Sequence, residues 1–314
     1  GLNMGKECIA CRKSNLDKDT IGINKKMLGT EIKTFYCMDC LDGLKQLENE
    51  CIDLTVTSPP YDDLRKYNEY SWDFESIAKE LYRVTKKGGV VVWVVADKTV
   101  KGSETGTSFK QALFFKEIGF NLYDTMIYLS DKPPLTHPRY EQKFEYMFVL
   151  SKGKPKTFNP IMEECKYVGT NKKARTFRND GHNLESTHKT EPVKKYKIKG
   201  NVWEYSTGYQ KTTKDKIAFK HPAIFPEQLA YDHIISWSNE NDVVMDIFMG
   251  SGTTAKVALL NNRQYIGFEI SKEYFYEREY KKCYKYASMV DKIEEANRKR
   301  STTMRSRLWG SRKH

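Results

Sequence analysis

The 314-residue chain contains no apolar run approaching the roughly 20 residues that span a bilayer. Its opening residues, Gly1-Leu2-Asn3-Met4, hold no charged stretch followed by an apolar one, so neither insertion nor export is expected. Residues 1–3, ahead of Met4, are set aside from fold reasoning. Cysteine is sparse and odd in number, seven residues, which argues against a disulfide framework and leaves reduced thiols or a metal site. No internal repeat is present, which excludes solenoids and propellers. With 39% hydrophobic, 30% charged and 13% aromatic residues the composition is that of a folded globular chain, neither disordered nor fibrous. The length suits one large domain or two ordinary ones.

Negative charge is in short supply: 53 Lys and Arg stand against 41 Asp and Glu, giving +12 and a polyanion as the natural partner. The excess is local. Residues 152–199 carry 13 basic and 5 acidic side chains, and residues 272–314 carry 13 and 6. The rest of the chain is slightly acidic, and a solvated basic surface is the plain alternative.

Residues 52–57, Ile-Asp-Leu-Thr-Val-Thr, read as a buried strand that stops at Ser58-Pro59-Pro60. Ile77, Leu81 and Val84 fall at helical spacing, Lys86-Lys87-Gly88-Gly89 is expected to end that helix, and residues 90–96 form an apolar strand. A helix over 109–118 and strands over 122–129 and 145–150 follow. From 151 to about 200 the apolar period dissolves, marking an insertion. It returns as a helix at 226–237, a strand at 243–246, a Gly-rich turn, a helix at 253–260 and a strand at 264–270. Alternating strands and helices predict an α/β fold, a doubly wound and mostly parallel sheet with an inserted segment. The expected divisions are an N-terminal extension (4–34), a first half (35–150), the insertion (151–200), a second half (201–290) and a basic tail (291–314).

Two motifs carry chemistry. Asp246-Ile247-Phe248-Met249-Gly250-Ser251-Gly252-Thr253-Thr254-Ala255 lies where a strand turns into a helix, and Glu269 follows Gly250 by 19 positions. Glycines there let the backbone approach a ligand, and an acid could accept from two ribose hydroxyls. Gly-x-Gly-x-x-Ala equally fits a dinucleotide site or a tight structural turn. The second motif is Thr57-Ser58-Pro59-Pro60-Tyr61. Two prolines remove two N–H donors and hold the Ser58 and Pro59 carbonyls outward beside an aromatic ring. That pair suits an exocyclic amino group on a flat base; a strand-ending turn with a packed Tyr is the alternative.

Together these motifs resemble the S-adenosylmethionine-dependent amino-methyltransferases of DNA, in the β-class order where the catalytic motif comes first. The resemblance runs from about Phe35 to Tyr284 and includes Asp39-Cys40-Leu41, Lys87-Gly88-Gly89, Asn201-Val202-Trp203 and His221-Pro222-Ala223-Ile224-Phe225-Pro226. Ile247 stands where many members have Pro. The resemblance implies a Rossmann-like methyltransferase fold of circularly permuted motif order, with 151–200 as target-recognition segment. It implies that Phe248, Gly250, Gly252 and Thr253 line the methionine moiety, with Asp246, which opens that motif, also among the cofactor-binding residues. Glu269 would hold the ribose, Asp39 would approach the adenine, and Pro222 and Phe225 would complete the pocket. Ser-Pro-Pro-Tyr is usual in enzymes acting on cytosine N4, Asp or Asn at the first position in those acting on adenine N6. Ser58, Pro59, Pro60 and Tyr61 are therefore the catalytic candidates, with Tyr61 stacking on a flipped cytosine. C5-cytosine chemistry is excluded, because it needs a thiolate, typically in a Pro-Cys pair, and the chain has none.

Double-stranded DNA is the implied partner, a restriction endonuclease acting on the same site a second one, and a bacterial or archaeal cytoplasm at the nucleoid the expected location, with no membrane. Cys8-x-x-Cys11 and Cys37-x-x-Cys40 have the spacing of a four-thiolate zinc site, against which buried inert thiols stand as the simpler reading. Adenine N6 methylation, an NAD-type oxidoreductase and a zinc-ribbon DNA-binding module are the rival functions.

Overall fold

The computed structural model describes residues 33–36, 38–59, 73–130, 139–169, 176–178, 184–186, 192–205, 226–250 and 252–270. Along the chain come β1 (Lys33–Tyr36), α1 (Cys40–Gln46), β2 (Ile52–Thr57), α2 (Phe74–Val84) and β3 (Thr85–Val95). A two-stranded hairpin, β4 (Thr99–Val100) and β5 (Ser103–Glu104), leads to α3 (Thr107–Glu117), β6 (Asn121–Ser130) and β7 (Phe144–Ser151). Short ladders follow, β8 (Met162–Glu164) with β11 (Tyr196–Ile198) and β9 (Thr176–Arg178) with β10 (Leu184–Ser186). The last elements are β12 (Val202–Tyr205), α4 (Glu227–Trp237), β13 (Val243–Asp246), α5 (Thr253–Leu260) and β14 (Gln264–Phe268).

Eight strands form one sheet in the order β1-β14-β13-β2-β3-β7-β6-β12. The first five run parallel, β7 runs antiparallel to both β3 and β6, and β12 is parallel to β6. From β2 the chain winds toward β3, and from β13 it winds the opposite way toward β14. The winding therefore reverses at β2 and β13, and the C-terminal ends of strands at such a switch point are where open α/β sheets bind their ligands. Residues 159–201 form a second compact unit, where an insertion is expected over 151–200; β7 carries the sheet through Ser151, 152–158 stay with the first unit, and Asn201 belongs to the second. Among the described residues no helix is long and apolar enough to cross a membrane.

Helix α2 starts where Asp73 accepts from the Ser76 N–H at 3.1 Å, and it buries Ile77, Ala78, Leu81 and Val84 as its spacing predicts. Its end differs from expectation. Lys86-Lys87-Gly88-Gly89 lies within β3, because the Thr85 hydroxyl donates to the Leu81 carbonyl at 2.6 Å and pairing with Ile52 begins at once. Gly88, at φ +77°, absorbs the shift in register. Strands β1 and β12 and helix α1 are too short to show a period in the amino-acid order.

Two buried carboxylates serve the same central strands. At the N-terminal end, Asp53 of β2 accepts from Lys86 at 2.8 Å, from Lys156 and from the Val243 N–H of β13 at 2.9 Å. Burial raises the Asp53 carboxyl, but these donors outweigh it and hold it below the ordinary range. Helix α4 buries His233 completely, against the ring of Trp203 at 4.8 Å between centroids. The Trp237 indole can only donate, so His233 Nδ1, 3.2 Å away, is an acceptor and the proton sits on Nε2, facing Met147 Sδ at 3.2 Å.

Burial pushes His233 down to about 3 from 6.5. Below pH 6.5 the unfolded chain takes up a proton that the folded one refuses, so this stabilisation is complete above that value and is lost as pH falls toward 3. Thermal unfolding followed by circular dichroism should show a melting temperature that drops from pH 6.5 downward. His233→Gln should flatten that slope; an unchanged slope would remove His233 as its source.

Candidate active site

Thr57, the last residue of β2, is fully buried, and its hydroxyl donates to Asp246 Oδ1 at 2.7 Å. Asp246, the last residue of β13, is 1% exposed and also accepts from the Phe248 N–H at 3.1 Å. The Thr254 hydroxyl lies 3.5 Å from the Val56 carbonyl. Burial pushes the Asp246 carboxyl up to about 6, against the pull of the Thr57, Phe248 and Thr254 donors. Directly after Thr57 stand Ser58, half-buried, and Pro59, buried. The two loops flagged in the sequence thus leave adjacent strands and are joined at their roots.

The Gly-rich loop is held from the other side by β14. The Met249 N–H donates to the Phe268 carbonyl at 2.9 Å, and the Gly250 N–H donates to Glu269 Oε2 at 2.9 Å. Glu269 is buried just beyond the end of β14. Gly252, at φ +71°, caps α5 in a left-handed conformation that favours glycine, and Thr253 opens the helix. The Phe248 ring packs edge-on against Trp93 of β3 at 6.3 Å, and Trp93 is itself fixed by its indole N–H bond to Gln111 at 2.9 Å. A buried carboxylate beside a glycine turn at a helix N-terminus is a donor and acceptor set that fits a nucleoside-bearing ligand.

Asp39 ends the turn after β1 and caps α1, with Oδ1 accepting from the Leu41 N–H at 2.8 Å and the Asp42 N–H at 3.3 Å. The Glu269 N–H donates to the Tyr36 carbonyl at 3.0 Å, so Asp39 and Glu269 follow paired strands. Gly43 of α1 lies against the Phe268 ring; a Cβ there would sit 2.3 to 2.7 Å from three ring carbons. Thr57, Thr254 and Gly43 were not singled out as site residues, because nothing in a linear pattern pairs them with partners so distant.

Pro60, Tyr61, Pro222, Phe225, Cys8, Cys11 and Cys37 lie outside the described residues. Cys40, the fourth member of the expected zinc set, is buried in α1, where burial, with Asp39 adding to it, pushes its thiol up. Among the described residues no cluster of His, Cys, Asp and Glu could hold a metal ion.

Residues 52–282 match the N6/N4 family model described as DNA methylase. The chain is 60% identical over 238 residues to the orphan methyltransferase M.BamHII of Bacillus amyloliquefaciens, covering 74% of this chain and 89% of the relative. It is 28% identical over 266 residues to the DNA adenine methyltransferase YhdJ of Escherichia coli K12, covering 81% and 83%. In structure it is similar to the PvuII DNA methyltransferase (cytosine-N4-specific), with a TM-score of 0.57, 22% identity, and 82% and 92% of the two chains covered.

The close approach at Gly43 yields a stability test. Gly43→Ala should lower unfolding free energy by about 1–3 kcal/mol through the clash with Phe268, measured by urea denaturation. An unchanged midpoint would mean that α1 yields without cost.

Proposed function

The chain belongs to the N6/N4 DNA methylase family, and from that premise we propose that it transfers the methyl group of S-adenosylmethionine to the N4 amino group of a cytosine flipped out of duplex DNA. The observation that carries the reading is the arrangement at β2 and β13. Ser58 and Pro59 leave one strand as the Gly-rich loop leaves its neighbour, with Thr57 and Asp246 joining them. An acceptor pair for an amino group and a nucleoside-sized cradle then share one crevice.

Bound S-adenosylmethionine supplies a methyl group activated by its sulfonium. The chain's own residues do the rest. Gly250 and Gly252 keep side chains out of the cradle; Glu269, its carboxylate oriented by the Gly250 N–H, accepts from the ribose hydroxyls; Phe248 and Thr253 line the methionine end. Asp39 would approach the adenine, and Pro222 and Phe225 would complete the pocket. An exocyclic amino nitrogen is a poor nucleophile because its lone pair is delocalised into the ring. Ser58 and the Pro59 carbonyl accept its N–H groups and draw it toward tetrahedral geometry. Pro60 keeps the turn rigid, Tyr61 stacks on the flipped base, and the amino group gives up a proton as the new bond forms.

Cytosine is favoured by Ser58 at the first position of the motif, whereas the relative named a DNA adenine methyltransferase keeps adenine as the second reading. Segment 159–201 takes the role of target reader, its Lys and Arg contacting phosphates and its polar side chains the base edges. A partner endonuclease is not carried over, since the relative at 60% identity is named an orphan methyltransferase.

Mass spectrometry of nucleosides from DNA treated with the protein and S-adenosylmethionine should find N4-methylcytosine. N6-methyladenine instead would overturn the choice of base, and no methylated nucleoside the whole reading. Ser58→Ala should lose most turnover while binding the methyl donor normally, and Glu269→Ala should weaken that binding, by isothermal titration. The reverse pattern would exchange the two roles.

A further inference from the structure

Asp246 opens the Gly-rich motif, yet its carboxylate is buried among protein donors. At 1% exposure it has no face left for a ligand, and a single oxygen, Oδ1, accepts both from the Thr57 hydroxyl and from the Phe248 N–H. Those donors sit at the roots of two different loops: Thr57 immediately precedes Ser58, and Phe248 lies two residues before Gly250. We infer that Asp246 and Thr57 are positioning residues, a buried tie that sets the spacing between the loop holding the target amino group and the loop holding the methyl donor, and that Asp246 does not itself touch the donor.

The inference rests on the function proposed above. Its physical ground is the choice of a polar tie where an apolar one would hold two strands equally well. A buried carboxylate carries a desolvation penalty that a hydrophobic pair avoids, and what it adds is direction. One hydrogen bond of 2.7 Å fixes both the separation and the angle at which the backbone leaves β2. Thr254, in the first turn of α5, is a further donor to the Asp246 carboxylate, and its hydroxyl lies 3.5 Å from the Val56 carbonyl, so the helix start is brought to the same tie. Methyl transfer between groups held on separate loops is the kind of step in which a displacement of about 1 Å costs about 100-fold in rate.

Thr57→Val keeps the shape of the side chain and removes only the donor; Thr57→Ser keeps the donor. Each is assayed with tritiated S-adenosylmethionine and unmethylated phage DNA, alongside calorimetric titration of S-adenosylmethionine and a melting curve. The expected result is a fall in kcat of about 100-fold for Thr57→Val with the dissociation constant for S-adenosylmethionine within about threefold of wild type, and recovery of most of the rate in Thr57→Ser. Asp246→Asn, which keeps an acceptor at the same place, should retain donor binding with an intermediate rate. It supplies the comparison if Thr57→Val does not fold. A wild-type rate in Thr57→Val, or a loss in which donor affinity falls in step and Ser gives no recovery, overturns the inference alone. A wild type that neither binds S-adenosylmethionine nor labels DNA overturns the proposed function, and this inference with it.

Discussion

Everything that positions the site depends on β2 and β13 lying side by side. Their pairing brings together residues 189 positions apart, Thr57 and Asp246, and it is the place where the sheet reverses its direction of winding. Two buried carboxylates secure it. Asp53 gathers β2, β13 and two lysines at the N-terminal end, and Asp246 joins the strand exits at the C-terminal end. The first is fully charged and compensated by cations, so it resists slippage of the strands. The second has only neutral donors, so its energetic gain is small and its contribution is geometry.

Around this pair the supports are apolar. Trp93 packs against Phe74, Phe115 and Phe248, which connects the floor of the Gly-rich loop to helices α2 and α3. On the other side the Phe268 ring lies under Gly43 and stacks on Tyr36, and so brings Asp39 and Glu269 to neighbouring positions. Each candidate ligand-holding group therefore has a large aromatic residue within a few positions of it. That arrangement suits a site whose loops must hold a fixed shape on a rigid sheet.

The strongly periodic elements were legible in the amino-acid order. Strand 52–57, helix 74–84, strand 243–246 and helix 253–260 stand where the pattern puts them: helix 74–84 buries one face, and the other three are buried over nearly all their length. The Lys86–Gly89 stretch misled, since lysines and glycines commonly end helices; here the closing bond comes from Thr85 and the glycines serve a bulge in β3. Of the paired Cys-x-x-Cys cysteines only Cys40 lies among the described residues, where it is a buried thiol of α1.

The sequence by itself determined the class of fold, the two loops proposed to carry chemistry and the residue types within them, because backbone rigidity, glycine and proline punctuation and apolar period are local properties. Tertiary structure alone decided which strands are neighbours. That choice turned Thr57 and Asp246 from members of separate motifs into partners, gave Gly250 its acceptor in Glu269 and set Gly43 against the Phe268 ring. These are contacts between residues far apart in the chain, created by packing, and no periodicity within one segment encodes them.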